Sequence, residues 1–266
     1  MKDMKPGMKI LLTNDDGIQA VGIRALYKGL RDAGHEVHVV APITEQSAVG
    51  HAVTLASPLR VREFKENGFF GLGVSGTPAD CVKLALSALL PGPPELVMSG
   101  INSGANVGVD ILYSGTVSAA TEGALAGLPA LAVSVDDYAP VDLSGQGAYA
   151  AGFAAAVPWD EVPRGCVLNL NFPRRPMSET LDLRLCPQTQ ATYKDWFDER
   201  TDPRGRPYYW LDGVIPGKSV SPGTDRDLLT QGHITLTPLR FDFTDAPTLQ
   251  RLKGLLDGKQ FGVPQG

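Results

Sequence analysis

Three cysteines, Cys81, Cys166 and Cys186, are all that this 266-residue chain carries. They are too few, too far apart and odd in number for a disulfide framework or a paired-cysteine zinc site, and a reducing compartment suits them best. Basic charge is scarce as well: Lys and Arg total 24 against 29 Asp and Glu, a formal net charge of -5. No basic stripe is therefore expected that would hold a nucleic-acid duplex. A small anion is still admissible, because a metal ion and backbone N–H groups neutralise a phosphate locally. Long apolar runs are missing too. The opening MKDMKPGMKILLT has a few lysines but no apolar stretch long enough for a secretory signal or a membrane span, so the expected location is cytoplasmic, without membrane contact. Internal repeats and low-complexity tracts do not occur.

What is present is enough to bury one large core or two modest ones, with 43% hydrophobic and 20% charged residues. Residues 8–13 form a continuous apolar run of the kind found in a central strand covered on both faces. The run stops at Asn14-Asp15-Asp16-Gly17. Ile23, Leu26, Tyr27 and Leu30 then recur at helical spacing over 22–34, with Gly34 as terminator, and 36–40 reads as a second strand. The alternation returns as a helix over 77–90, a strand over 95–98, a helix over 114–126, a strand over 129–135, a helix over 145–157 and a strand over 166–171. Such a pattern predicts an α/β fold with a mostly parallel sheet flanked by helices. Past Asn171, prolines and aromatics crowd 193–210, and 181–185, 207–211 and 233–238 read as antiparallel strands. A last helix is expected over 246–256, before a tail over 258–266. The expected organisation is an α/β core over 1–175 and a β-rich C-terminal extension over 176–266.

In open α/β sheets, ligands collect outside the carboxyl ends of the strands, which directs attention to four loops. The first is Asn14-Asp15-Asp16-Gly17. Two adjacent carboxylates repel when bare, and a hard cation such as Mg²⁺ or Mn²⁺ removes that cost by taking their oxygens as ligands. Gly17 lets the backbone turn without crowding the ion. An ordinary strand-ending, helix-capping turn uses the same residues, and the motif alone does not decide between the two. The second loop, over 99–121, is rich in glycine, hydroxyls and amides. It is able to bring Asn102 and Asn106 to a ligand, and Ser114-Gly115-Thr116 opens a helix whose positive end suits phosphate; tight helix–sheet packing is its structural alternative. It holds neither a Gly-Lys-Ser/Thr nor a Gly-x-Gly-x-x-Gly, which argues against a P-loop nucleotidase and a dinucleotide fingerprint. The third loop, over 41–51, carries Ser47, a hydroxyl available to an ion, and His51, which reads first as a hydrogen-bonding residue and second as a general acid. The fourth, over 74–80, is a capping turn with Thr77 as N-cap, Pro78 at the first helical position and Asp80 closing the box.

The segments ILLTNDDGI, APITEQSAVGH, VSGTPADCVKLAL, SGINSGANVGVDILYSGTVSAATEG and TDRDLLTQGHITLTPL follow one another along nearly the whole chain. Together they resemble the SurE family, the stationary-phase survival proteins, which are metal-dependent 5′(3′)-nucleotidases. The long glycine–asparagine segment carries most of the resemblance; the Asp-Asp pair alone would not. The resemblance implies a Rossmann-like, three-layer α/β/α fold with a C-terminal β-hairpin extension exchanged between protomers of a homodimer or homotetramer. It implies a divalent cofactor, Mg²⁺ or Mn²⁺, on Asp15, Asp16, Ser47 and Asn102. Asn106, Ser114, Gly115 and Thr116 fall where the family lines its phosphate pocket, and Asn14 and Gly17 of the first loop join them as expected substrate contacts. The implied activity is hydrolysis of nucleoside 5′- and 3′-monophosphates by a metal-activated water, with Asp15 as the group that activates it. A phospho-aspartate route through Asp15 is the rival mechanism. A nucleotide-binding or sensing module without turnover, and a metal-dependent hydrolase of a non-phosphate bond, are rival functions for the same loops. The chain departs from the commoner family pattern at Ile43, Ala48 and His233, whereas the four metal-ligand positions are intact.

Overall fold

The structure is a computed structural model that describes residues 7–257 and Lys259; the tail-like reading of 258–266 otherwise lies outside the described residues. The chain runs β1 (Lys9–Thr13), α1 (Val21–Asp32), β2 (Glu36–Pro42), β3 (Val61–Glu66), β4 (Phe69–Val74), α2 (Pro78–Leu84), β5 (Leu96–Ser103), α3 (Gly115–Leu125), β6 (Ala130–Val135), α4 (Ser144–Ala156) and β7 (Cys166–Phe172). It continues through β8 (Leu181–Leu185), β9 (Lys194–Thr201), β10 (Pro207–Val214), α5 (Asp225–Gln231), β11 (His233–Arg240) and α6 (Ala246–Leu256). Nine strands form one sheet in the order β3-β4-β2-β1-β5-β6-β7-β11-β8, and β9 and β10 pair separately as a hairpin. The strands from β4 to β7 are mutually parallel, as the β/α alternation predicts.

The unbroken apolar run of β1 has a direct structural cause. Ile10 and Leu12 join the cluster that includes Ile23, Leu26 and Leu30 of α1 and Ala150, Ala151 and Ala154 of α4. Leu11, pointing the other way, joins Cys81 and Val82 of α2 and Ala119 of α3. A strand with a helical layer on each face needs apolar side chains at both parities. All three residues are fully buried, and each such side chain contributes roughly 1.5–3 kcal/mol relative to exposure. From β1 the chain steps to β2 on one side, while β5 lies on the other. The crevice between the loops leaving β1 and β5 is thus a topological switch point, where an open α/β sheet leaves room for a ligand.

Several local readings need correction or extension. The segment 181–185 is a strand, but it runs parallel to β11 rather than antiparallel, while β11 pairs antiparallel with β7, so both strands extend the main sheet. His233 begins β11, and its Nδ1 lies 2.9 Å from the Asp182 carboxylate at the start of β8. The strand expected over 95–98 continues to Ser103, which puts Asn102 on the strand itself. The helix expected over 77–90 is α2 followed by a π-helical turn over Ala85–Leu89. Its cap is as expected: the Thr77 hydroxyl accepts from the Asp80 N–H and the Asp80 carboxylate accepts from the Thr77 N–H. The β3–β4 hairpin was not anticipated, although Asn67-Gly68, both at positive φ, is a strong short-range hairpin signal.

Helices α1 and α4 cross at their glycines. A Cβ on Gly29 would lie 2.5 Å from the Gly147 carbonyl oxygen, and one on Gly147 would lie 2.5 Å from the Ala25 carbonyl oxygen. Helix propensity favours Gly29→Ala by about 1 kcal/mol, but backbone is what the new methyl would strike, and overpacking of this kind costs about 1–3 kcal/mol. Gly29→Ala should lower the urea midpoint without changing the slope. A midpoint equal to or above wild type would show that the helices separate freely.

Candidate functional site

The loop after β1 is shaped by its own backbone. Gly17 sits at φ 95°, and a Cβ there would press to 3.3 Å on the backbone of Thr44 and Glu45, so glycine suits both the turn and the close approach of the first and third loops. Asn14 closes the turn by donating from its amide to the Gly17 carbonyl at 2.9 Å. The Gln46 N–H then donates to the Asp15 carbonyl at 2.8 Å, which ties the loop carrying Ser47 to the aspartates.

Asp15 points at the start of α3. Its Oδ1 accepts from the Thr116 hydroxyl, and a Cβ on Gly115 would meet the Asp15 Cβ at 2.7 Å, so the glycine is what lets the carboxylate approach the helix. Burial pushes the Asp15 carboxyl up from 3.8 to about 6; the Thr116 hydroxyl bond opposes this and the neighbouring Asp16 charge adds to it. Asp16 is held by the Ser103 N–H, 2.9 Å from its Oδ2. Its carboxyl is also raised, first by burial and then, against the Ser103 bonds, by the Glu45 charge. Asn102 donates its amide hydrogen to the Gly104 carbonyl at 2.7 Å, leaving its oxygen for another partner. The exposed Ser47 hydroxyl donates to Glu45 Oε1 at 2.6 Å.

These groups border one cavity of about 570 Å³. Of the residues expected at the site, Asp15, Asp16, Ser47, Asn102, Asn106 and Ser114 line it. Asn14, Gly17, Gly115 and Thr116 are instead packed behind it, shaping the turn and holding Asp15. Ser114 is the N-cap of α3, its hydroxyl accepting from the Val117 N–H at 3.0 Å. Asn106 is braced on every side: its N–H donates to Asn171 Oδ1 at 2.8 Å, its amide to Ser134 Oγ at 2.8 Å, and its carbonyl accepts from the Asn169 amide at 2.8 Å. His51 does not reach the cavity; its Nε2 is 2.8 Å from Glu122 Oε1, a buried carboxylate that also holds Lys83.

Sequence reasoning missed part of the wall. Glu45, Asp110, Tyr113, Tyr138 and Tyr193 also line the cavity. Asp110 and Tyr113 stand inside the long glycine–asparagine segment, and Tyr138 follows the carboxyl end of β6, where the strand-end rule would have found it. Tyr193 precedes the hairpin and donates from Oη to Asp110 Oδ1 at 2.8 Å. Burial, then that bond, push its phenol up to about 12. The segment carrying Asp110 is anchored from far along the chain: Asp225 Oδ2 accepts from the Gly108 N–H at 2.8 Å, and Arg226 pairs with Asp110.

A polar cavity floored by two carboxylates at the switch point of a parallel sheet defines an α/β protein built to hold a small, oxygen-rich ligand. The family description "Survival protein SurE" matches residues 10–195, and the chain belongs to the SurE family. It is 70% identical over 249 residues to the 5′-nucleotidase SurE of Solidesulfovibrio magneticus, covering 94% of this chain and 98% of that one. It is 68% identical to the protein of the same name from Nitratidesulfovibrio vulgaris, covering 97% of each. The crystal structure of the SurE protein from Aquifex aeolicus superposes with a TM-score of 0.80 at 36% identity, over 93% of this chain and 99% of that one. Among the described residues, no helix is long and apolar enough to cross a membrane.

Because the folded-state pKa of Asp15 is raised above its unfolded value, the folded protein holds the proton more tightly. The destabilisation from ionising Asp15 is absent below about pH 4 and complete above about pH 6, amounting to roughly 3 kcal/mol. In EDTA, Asp15→Asn should therefore be more stable than wild type at pH 8, and lose most of that advantage at pH 4. Urea melts of both proteins at the two pH values measure this; a gap that is the same at both would contradict the raised pKa.

Proposed function

We propose that this chain is a divalent-metal-dependent 5′-nucleotidase that hydrolyses nucleoside monophosphates, 3′ as well as 5′, to nucleoside and phosphate. The observation that carries the reading is the adjacent pair of buried Asp15 and half-buried Asp16, which line one cavity together with Asn102, whose amide oxygen is left over, and Ser47. The 5′-nucleotidase name carried by relatives at 60–70% identity supports it.

The donor set fits a hard cation. Two carboxylates with pKa values raised by burial are costly to ionise together, and a divalent ion offsets that cost. The neutral oxygens of Asn102 and Ser47 suit Mg²⁺ or Mn²⁺, which take oxygen ligands and keep several waters. The neutral oxygens of Asn102 and Ser47, which line the same cavity, would complete the site. A cation held there supplies Lewis-acid polarisation of the phosphoryl group and acidifies a water. The chain's own residues do the rest. Asp15, fixed through Oδ1 by Thr116, keeps Oδ2 to take the proton of the attacking water. Ser114, the N-cap of α3, lines the cavity at the positive end of the helix, which favours the charge that spreads over the phosphoryl oxygens, an electrostatic role that needs no movement at the moment of reaction. Asn106 holds the opposite wall through its four-residue network.

We further infer a homo-oligomer, dimer or tetramer, in which the segment 176–266 serves as the joining extension. The hairpin β9–β10 exposes Trp196, Phe197, Tyr209, Trp210 and Leu211 at 45–67%, with Phe197, Tyr209 and Leu211 on one face and Trp196 and Trp210 on the other, apolar surface that a neighbouring subunit would cover. Three free, buried cysteines suit a cytoplasmic setting.

Phosphate release from adenosine 5′-monophosphate should require Mg²⁺ or Mn²⁺, vanish in EDTA, and fall by about 10²–10⁴ in Asp15→Ala, with Asn102→Ala also severely impaired. Undiminished release in EDTA would sink the metal assignment, and an acid-stable, hydroxylamine-sensitive label on the protein after rapid quench would replace the water route by a phospho-aspartate. Light scattering should give a multiple of the chain mass, reduced when 194–214 is replaced by a short linker. An unchanged mass would remove the hairpin from the interface.

A further inference from the structure

The carboxylate floor and the mouth of α3 account for one part of the cavity; the other part is aromatic. Three of the chain's seven tyrosines, Tyr113, Tyr138 and Tyr193, line it, and the proposed mechanism uses none of them. Tyr138 is 80% exposed and Tyr113 57%, so neither ring is there to fill a core. Both could be polar residues at no cost to packing, and a large exposed ring beside a ligand cavity is better explained by what it meets there.

Tyr138 is also positioned. Its ring lies over Gly104, where an added Cβ would meet Cε1 at 2.9 Å and Cδ1 at 3.2 Å. Gly104 stands at φ 111°, two residues after Asn102, and its carbonyl is the acceptor that orients the Asn102 amide. The same short loop therefore sets the carboxamide at the floor and seats the ring at the wall. Tyr193 is fixed by its hydrogen bond to Asp110, and its phenol feels Tyr138 nearby. A cavity of about 570 Å³ lies within the size range of small-molecule sites, roughly 300–1,000 Å³, and is larger than a phosphate alone needs.

We propose that Tyr138 is the stacking platform for the nucleobase of the substrate, with Tyr193 as the adjoining wall. The inference rests on the nucleotidase reading and deepens it. Every base presents a π-face, and stacking on an aromatic side chain requires the ring rather than its hydroxyl. Binding in this subsite is distinct from the phosphoryl chemistry at Asp15 and Asp16.

The test compares a substrate that has a base with one that does not. For adenosine 5′-monophosphate, Tyr138→Ala should raise KM by about five- to a hundredfold, the range expected from loss of one base–aromatic stack, with kcat within about twofold of wild type. For glycerol phosphate, a phosphomonoester without a ring, both constants should stay at wild-type values. Tyr138→Phe should keep the wild-type KM for the nucleotide. Calorimetric titration with adenosine 5′-monophosphate gives a second readout, in which Tyr138→Ala should weaken binding by the same factor. An unchanged nucleotide KM in Tyr138→Ala, an equal rise for glycerol phosphate, or a loss in Tyr138→Phe as large as in Tyr138→Ala would overturn the assignment, as would a wild-type protein that does not bind the nucleotide. A wild-type protein that binds the nucleotide through Tyr138 but releases no phosphate would overturn the nucleotidase reading and leave this one standing.

Discussion

A carboxylate buried against a helix start governs the construction of this site. Asp15 is 5% exposed and accepts a hydrogen bond from Thr116, yet desolvation outweighs that bond and lifts its pKa to about 6. The balance is informative about magnitude. One hydroxyl donor to a carboxylate is worth about 1.5–3 kcal/mol, while withdrawing an ionised group from water costs several. A charge pair left in that position works against folding near neutral pH unless something of opposite sign joins it. The neighbouring choices follow from keeping the pair there: glycine at 115 so the helix can close on Asp15, glycine at 17 so the third loop can reach over, and a Ser103 N–H turned towards Asp16.

Behind this first layer, distant parts of the chain hold the cavity walls. Asn106 is connected to β6 through Ser134 and to β7 through Asn169 and Asn171. All four are buried, and a network of this kind holds its geometry because each member would be costly to leave unpaired. The Asp225-Arg226 pair at the start of α5 plays the same part for the turn over 107–110. Its place more than a hundred residues after Asp110 explains why the C-terminal TDRD motif belongs with motifs that touch the cavity directly.

How legible all this was depends on the range over which each signal acts. β1, α1, α3 and β6 were readable because apolar period and caps are local, and the capping turn expected at Thr77, Pro78 and Asp80 is present. The parallel pairing of β8 with β11 was not readable, since nothing within Leu181–Leu185 states which strand it joins or in which direction. Asp15, Asp16 and Asn102 were singled out because ligands of an α/β sheet collect at strand-end loops, and Ser47 because the second strand opens onto the same edge; all four line one cavity. The supporting roles of Gly115 and Thr116 were not readable as such, because the sequence of a helix start looks the same whether its groups face a phosphate or a carboxylate of their own chain. Tyr193 and Asp110 lie 83 residues apart, and only the fold brings them together.

The two kinds of wall answer different physical demands. The floor has to hold charge in a low-dielectric place without rearranging, so it is built from strand ends and a helix start, where backbone bonds fix each group. The tyrosine wall only has to offer a flat apolar face, so it stands on connections, with a glycine seat under Tyr138 and a single hydrogen bond holding Tyr193. That bond ends on Asp110, which Arg226 also holds, and Tyr193 leads directly into β9. A displacement of the hairpin thus reaches the cavity first at Asp110 and the aromatic wall, through one hydroxyl. Between the hairpin and the carboxylate floor lies the turn that Asp225 and Arg226 hold, so the geometry of the hairpin bears more closely on how a ligand is held than on the placement of the two aspartates.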